Sequence, residues 1–160
     1  MSTRKHLPVS APDDADRGPL LGALLRLCHQ AVITEVIRGL GEAGYPDIQS
    51  PHAAALRPLW DHPEGARSTE LAASARITKQ SMGAIVDQLA ERGYVERVDD
   101  PSDKRAKLVR LTKRGRGASG MMRAVVRRVE ADWAGRIGAA RLEALRETLT
   151  QLLASLDGDA

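Results

Sequence analysis

From Pro19 onward, apolar residues crowd more than one face of a helical repeat: Leu20, Leu21, Leu24, Leu25, Leu27, Cys28, Ala31, Val32, Ile33, Val36, Ile37 and Leu40. The pattern predicts a helix that starts with Pro19 at or near its first position, is sandwiched between other elements, and ends near Gly39, Gly41 and Gly44. Ser50-Pro51 reads as an N-cap followed by proline at the first helical position, opening a second helix through Leu56 that Pro58 kinks or ends. His62-Pro63-Glu64-Gly65 then reads as a turn.

The next block changes period twice. Ser68 caps a short helix, Thr69 to about Ser74, and after a tight turn Thr78 caps another in which Met82, Ile85, Val86 and Leu89 form one inward stripe. Lys79, Gln80, Gly83, Ala84 and Asp87 fall on the opposite face. Gly93 stands where a helix-terminating glycine belongs, Tyr94 to Val98 reads as a strand, and Ala106 to Leu111 as its return. The polar cluster Asp99 to Asp103 between them predicts a hairpin with a long tip. Helix, turn, helix, hairpin is the order of a winged helix-turn-helix.

Thr112 caps a further helix whose first turns are weakened by Gly115, Gly117 and Gly120, about 1 kcal/mol each relative to alanine. Met122, Val125, Val129 and Trp133 mark its apolar stripe. After Gly138, the residues Leu142, Leu145, Leu149, Leu152 and Leu156 recur at intervals of 3 and 4, a seam made for packing on another helix. The two chain ends thus hold more apolar surface than one small winged domain can cover, which predicts a homodimer. The organisation expected is an arm over 1–18, a dimerisation helix over 19–45, a DNA-binding domain over 46–112 and C-terminal dimerisation helices over 113–160.

Composition supports this outline. Phe is absent and Trp and Tyr total four, so aliphatic residues build the core, which suits packed helices: the fold class expected is α+β, mostly α. No apolar run is long enough to span a membrane, and a single cysteine allows no intramolecular disulfide, so a cytoplasmic protein with no membrane partner is expected. Charge is segregated. Arg97 to Arg128 carries eleven Lys/Arg against three acids, net +8, while the remainder carries thirteen against eighteen, net −5. Such a segment fits a polyanion, because phosphate neutralisation supplies most non-specific nucleic-acid affinity, though a solvated charged face is the equal alternative on charge alone.

The run from Glu70 to Gly115 resembles the DNA-binding core of the MarR family of regulators, with Glu70-Leu71-Ala72, the Thr78 cap, Leu89, Gly93, Asp103-Lys104-Arg105 and Leu111-Thr112 in register. The resemblance extends over roughly residues 19–156. It implies a two-fold dimer of interlocked end helices, an inverted-repeat operator in double-stranded DNA, repression, and release by a small apolar or phenolic effector. It also implies a recognition helix using Thr78, Lys79, Gln80, Ser81, Gly83 and Ala84, a wing using Asp103, Lys104, Arg105 and Lys107, and Ser68 at a helix N-terminus. In that reading the Asp103 carboxylate orients the Arg105 guanidinium in a minor groove, where a narrow negative channel favours arginine. Many members carry longer side chains where Gly83 and Ala84 stand, so base reading falls here on Lys79, Gln80 and Ser81. Arg76 replaces the usual turn glycine, which predicts a turn without positive φ.

Other readings compete. Cys28, beside Leu27 and His29, superficially resembles the peroxide-sensing cysteine of one branch of the family; those sensors support the thiolate with tyrosines, and Tyr45 and Tyr94 stand far off in sequence, so a buried packing residue is expected instead. His29, His52 and Trp60 are candidates for lining the effector cleft. The four histidines lack ligand spacing and no catalytic signature occurs, so neither metal nor cofactor is expected and the chain reads as no enzyme. A winged helix used for protein contacts is the remaining alternative.

Overall fold

The structure, a computed structural model, describes residues 18–157; the expected arm lies outside the described residues except for Gly18. Helix α1 (Leu21–Glu42) leads into α2 (Ser50–Leu56), a single tight turn at Pro58–Trp60, and strand β1 (Ala66–Arg67). Helices α3 (Ser68–Ala75) and α4 (Lys79–Glu91) follow, then strands β2 (Val95–Asp100) and β3 (Asp103–Leu111), and finally α5 (Lys113–Ile137) and α6 (Ala139–Asp157). The three strands form one antiparallel sheet in the order β1-β3-β2, with Val109 opposite Ala66 on one side and Arg97 on the other. The molecule is mostly helical with this one small sheet.

The core lies in the winged lobe and the inner end of α1. Leu40, Ile48, Leu56, Leu59, Leu71, Met82, Val86, Leu89, Tyr94 and Val109 are almost fully buried, and Met122, Val125 and Val129 bring α5 onto the same cluster. Two close approaches set that packing. A β-carbon on Gly39 would stand 2.7 Å from Val125 Cγ2, so glycine lets α1 cross α5 closely. A β-carbon on Gly115 would stand 1.9 Å from the Tyr94 carbonyl oxygen, closer than any side chain permits.

Several expectations need correction. Leu20, not Pro19, precedes the first turn of α1; the helix ends at Glu42, between Gly41 and Gly44 as expected, after running through Gly39, which is buried against α5. Gln49 rather than Ser50 caps α2, its N–H donating to His52 Nδ1 at 2.9 Å. Arg67 rather than Ser68 caps α3, its N–H donating to Glu70 Oε2 at 2.8 Å, and Ser68 is the first helical residue. Strand β1, only two residues long, was too short to show a period. The hairpin tip is Pro101-Ser102 alone: Asp100 pairs with Asp103, and a bulge at Asp99/Asp100 absorbs the polar cluster into the strands. Cys28 is exposed, not buried. It shares the start of α1 with Leu20 at the N-cap and Leu21, Leu24, Leu25 and Leu27 in the helix, all of them left exposed by the other described residues.

The seam on α6 is divided. Leu142 and Leu149 are half-buried against α5, while Leu145, Leu152, Leu153 and Leu156 are between 42% and 55% exposed. An Arg146–Glu130 ion pair at 3.2 Å holds α6 on α5.

These contacts separate two neighbouring glycines of α5. Gly115→Ala is expected to lower stability by about 3 kcal/mol through overpacking against the Tyr94 carbonyl. Gly120→Ala, whose β-carbon meets nothing within 4 Å, is expected to raise it by up to about 1 kcal/mol through helix propensity. Urea unfolding midpoints of the two variants check the contrast.

Candidate nucleic-acid interface

Helix α4 stands on its buried stripe of Met82, Val86 and Leu89, which turns the opposite face outward. Its first turn is capped as expected: Thr78 Oγ1 accepts from Ser81 N–H at 3.1 Å and shares a hydrogen bond with the Ser81 hydroxyl at 2.8 Å. Lys79, Gln80, Ser81 and Ala84 are exposed and Gly83 is half-buried. Among the described residues, the Lys79 and Gln80 side chains form no hydrogen bond or ion pair, whereas the Ser81 hydroxyl is already engaged by the cap.

The turn between α3 and α4 departs from expectation. Arg76 has φ 53° and ψ 40°, the left-handed region, and is the one non-glycine residue with positive φ among those described. Its N–H bonds to Ala73 O at 3.1 Å and that of Ile77 to Ala72 O at 3.1 Å, so the carbonyls at the end of α3 are satisfied by a chain reversal that requires this conformation. The reversal tucks Ile77 against the core, and that burial offsets a backbone cost of about 1–2 kcal/mol.

The wing is tied to the helical lobe by a residue that periodicity did not single out. Arg67, at the end of β1, donates from Nε to Asp100 Oδ2 at 2.7 Å and lies 3.8 Å from Asp103 Oδ2. The other oxygen of Asp100 accepts from Ser102 N–H at 2.8 Å and from its hydroxyl at 2.6 Å. Asp100 is 5% exposed, and the two Ser102 hydrogen bonds, with Arg67 next, hold its carboxyl down to about 2. An Asp between two others in a turn gave no sign that it alone would be buried. At the tip, the expected Asp103–Arg105 side-chain pair does not form: Asp103 Oδ1 accepts from the Arg105 backbone N–H at 3.0 Å. The Arg105 side chain is exposed, with no carboxylate within ion-pair distance among the described residues. Lys104 lies in β3 between them, and its side chain is outside the described ones.

Several of the basic residues counted in the sequence are engaged locally. Lys107 pairs with Asp99 at 2.5 Å, Arg110 with Glu96 at 2.9 Å, Arg97 with Asp87 at 2.5 Å and Arg114 with Asp47 at 3.1 Å. Exposed pairs of this kind contribute at most about 1 kcal/mol, so they are readily exchanged for a phosphate.

Between α1, α2 and α5 lies a cleft of about 460 Å³ with apolar walls from Val32, Ile33, Val36, Met122 and Val126 and polar groups from His29, Arg57 and Glu130. Trp60 lines it too. His52 does not: it is 1% exposed, accepting from Gln49 N–H on Nδ1 and therefore donating from Nε2 to Gln88 Oε1 at 2.9 Å. The ring joins α2 to α4 and is structural. No group of His, Cys, Asp and Glu able to hold a metal occurs among the described residues, and no described helix is long and apolar enough to cross a membrane.

A capped and exposed second helix, a wing braced beside it and long helices at both ends define the class: a winged helix-turn-helix transcriptional regulator. A family model described as MarR family matches residues 48–107. The HTH-type transcriptional repressor Rv2887 of Mycobacterium tuberculosis is 34% identical over 143 residues, covering 88% of this chain and 95% of that protein. The chain belongs to the MarR family. Its structure is similar to that of the transcriptional repressor CouR bound to a 23-mer DNA duplex, with TM-score 0.68, 26% identity and coverage of 84% of this chain and 92% of that one. It is also similar to the Mycobacterium tuberculosis MarR family protein Rv2887 in complex with salicylic acid, with TM-score 0.63, 33% identity and coverage of 86% and 98%.

The wing brace carries a pH dependence. The folded carboxyl of Asp100 titrates lower than the roughly 3.9 of an unfolded aspartate, so its contribution is complete above about pH 4 and is lost as pH falls toward about 2. Hydrogen exchange at Ser102 N–H, referred to its intrinsic rate, should lose protection through that window. In Asp100→Ala protein, which has no side-chain acceptor there, protection should be low at neutral pH and flat below pH 4.

Proposed function

We propose that the chain is a homodimeric repressor that binds an inverted-repeat operator in double-stranded DNA and is released by a small apolar or phenolic effector. The observation that carries the DNA reading is the pairing of an uncommitted Arg105 side chain on a braced wing with the uncommitted Lys79 and Gln80 on a capped helix. In this reading Lys79 and Gln80 enter the major groove and Arg105 a minor groove, while Lys107 and Ser68 contact the backbone. Thr78 and Ser81 serve first as the cap that aims the helix, and the small Gly83 and Ala84 let the backbone lie close to the bases. Asp103 fixes the backbone from which Arg105 projects. CouR bound to a DNA duplex supports this assignment by fold. Residues 46–112 act as the DNA-binding unit, and 19–45 with 113–160 as the dimer arms.

The effector reading rests on the cleft between α1, α2 and α5. Its apolar walls suit an aromatic ring and Arg57 suits an acidic or phenolic oxygen, in keeping with the salicylic acid complex of the Mycobacterium tuberculosis relative. The cleft is bounded by both a dimer arm and the winged lobe, so a ligand that fits only one arrangement of the two shifts the spacing of the DNA-binding lobes. Repression of this kind involves no catalytic step by the chain.

Two measurements test the proposal. Arg105→Ala should weaken cognate and random duplexes alike and flatten the salt dependence by about one unit of slope, whereas Gln80→Ala should cost about 1–3 kcal/mol on the cognate site alone. Titrations at two salt concentrations decide this, and an Arg105→Ala protein that binds both duplexes like the parent overturns the wing assignment.

The dimer is tested at Leu152, which is 42% exposed on the protomer, so that an aspartate there costs an isolated chain little. Leu152→Asp should yield folded monomer by sedimentation and lose operator binding together with dimerisation.

A further inference from the structure

The first half of α5 carries a charge pattern that none of the contacts above accounts for. From Lys113 to Val129 there are six Lys/Arg and no Asp or Glu. Two of the six are engaged: Arg114 pairs with Asp47 at 3.1 Å, and Arg128 lies 3.7 Å from Glu35. The other four, Lys113, Arg116, Arg123 and Arg127, recur at intervals of 3, 7 and 4, which sets them on the face opposite the buried Ala118, Met122, Val125 and Val129.

None of these four has a carboxylate within ion-pair distance among the described residues. Lys113 and Arg127 are exposed and form no hydrogen bond there either. Arg116 spends one donor on Leu111 O at 2.8 Å, and Arg123 lies over the Trp60 ring at 5.0 Å, which leaves most of their guanidinium N–H groups uncommitted. The face spans roughly 21 Å at 1.5 Å per residue, and small residues keep it low: a β-carbon on Gly120 would meet nothing within 4 Å, and Ala124 is exposed. No large apolar side chain is exposed between Lys113 and Arg127; those of the described residues lie at the start of α1, at the end of α5 and along α6. The face therefore offers a second copy of the chain neither apolar area nor opposite charge.

We propose that this face of α5 is a third DNA surface, one that receives phosphates of the bound duplex through Lys113, Arg116, Arg123 and Arg127 and adds affinity without sequence preference. The inference rests on the DNA reading above and extends it to a part of the chain assigned there only to the dimer. Three features choose a phosphodiester backbone over an acidic protein segment. Protein interfaces are centred on aromatic or aliphatic anchors, and this face has none. A duplex carries one phosphate for about every 1.7 Å of its axis, so cations spaced unevenly along the helix, at roughly 4.5, 10.5 and 6 Å, each find a partner without a fixed register. Lastly, α5 begins directly after β3, whose Lys107 and Arg110 hold only exposed, exchangeable pairs, so the basic surface continues from the wing into the stripe. Three of the four cations are guanidiniums, which take phosphate oxygens two at a time.

The test uses the full-length protein, titrated with operator and random duplexes over a range of salt concentrations. Lys113→Gln combined with Arg127→Gln should weaken both duplexes by the same factor and flatten the plot of log affinity against log salt by about two units, one for each cation removed. Adding Arg123→Gln should take about one unit more. A control of equal charge change, Arg136→Gln with Arg141→Gln near the junction of α5 and α6, should leave the slope unchanged. Lys113→Arg with Arg127→Lys, which keeps the charge, should keep the parent slope. The proposal is overturned by a parent slope in the stripe variant, by equal flattening in the control, which would make net charge the cause, or by flattening in the charge-keeping variant, which would make it structural. A stripe variant with the parent slope that no longer binds an oligoglutamate peptide would assign the face to an acidic protein instead. Arg105→Ala measured alongside separates the two readings: flattening there but not in the stripe variant sinks this inference alone, and flattening in neither sinks the DNA reading itself.

Discussion

The carbonyl of Tyr94 lies so close to the first turn of α5 that only glycine fits at position 115, and the rest of the architecture follows from that approach. The same carbonyl accepts from Thr112 N–H at 3.0 Å and from its hydroxyl at 3.2 Å, and Thr112 in turn caps α5 through Gly115 N–H at 3.0 Å. The Tyr94 ring is fully buried, its hydroxyl donates to Asp47 at 2.5 Å, and the Arg114 guanidinium lies over its face at 4.5 Å. That hydrogen bond holds the Asp47 carboxyl below the usual range, while burial and the same bond push the Tyr94 phenol up. One residue thereby fastens the end of α4, the start of the wing, the α1–α2 loop and the first turn of α5. A shift of α5 relative to α1 is therefore a shift of the whole winged lobe.

The wing depends on a second, smaller knot. Beyond the two residues that pair with β1 the hairpin is a two-stranded ribbon, marginal in water by itself, and the buried carboxylate at its tip is where the lobe takes hold of it. Arg67 comes from the strand that enters the helix-turn-helix, so the brace links the wing to α3 and, through it, to α4. In the proposed DNA complex, an Arg105 that enters one groove while α4 enters another needs that fixed relation, because contacts misplaced by an ångström contribute little. The local pairs of Lys107, Arg110 and Arg97 stiffen the strands and remain exchangeable for phosphates.

Among the described residues, the large apolar side chains left exposed lie at the start of α1, at the end of α5 and along α6. Such a distribution is what an interlocked dimer covers. The proposed effector cleft sits where α1 and α5 meet the lobe, and Trp60, with the guanidiniums of Arg57 at 5.8 Å and Arg123 at 5.0 Å from its ring, lines it. Ligand chemistry and lobe spacing thus meet at the same few side chains.

Periodicity and local capping signals determined the order of the elements apart from β1, because the stripe Met82, Val86, Leu89, the caps Thr78 and Thr112, and Gly93 with φ 73° each act within one or two turns of their own residues. The outward face of α4 was legible for the same reason, since a buried stripe leaves its opposite exposed. What the tertiary structure decided lay at long range. Arg67 and Asp100 are 33 positions apart and neither has a pattern of its own; β1 is too short to show alternation; the buried His52 takes its partner from Gln88, 36 positions away. Arg76 took the left-handed conformation because burial of Ile77 outweighed a residue's intrinsic preference, and Gly115 proved indispensable because of a carbonyl its own helix does not contain. Intrinsic preference and spacing are properties of neighbours along the chain, whereas burial and close approach belong to neighbours in space, and only folding brings those together.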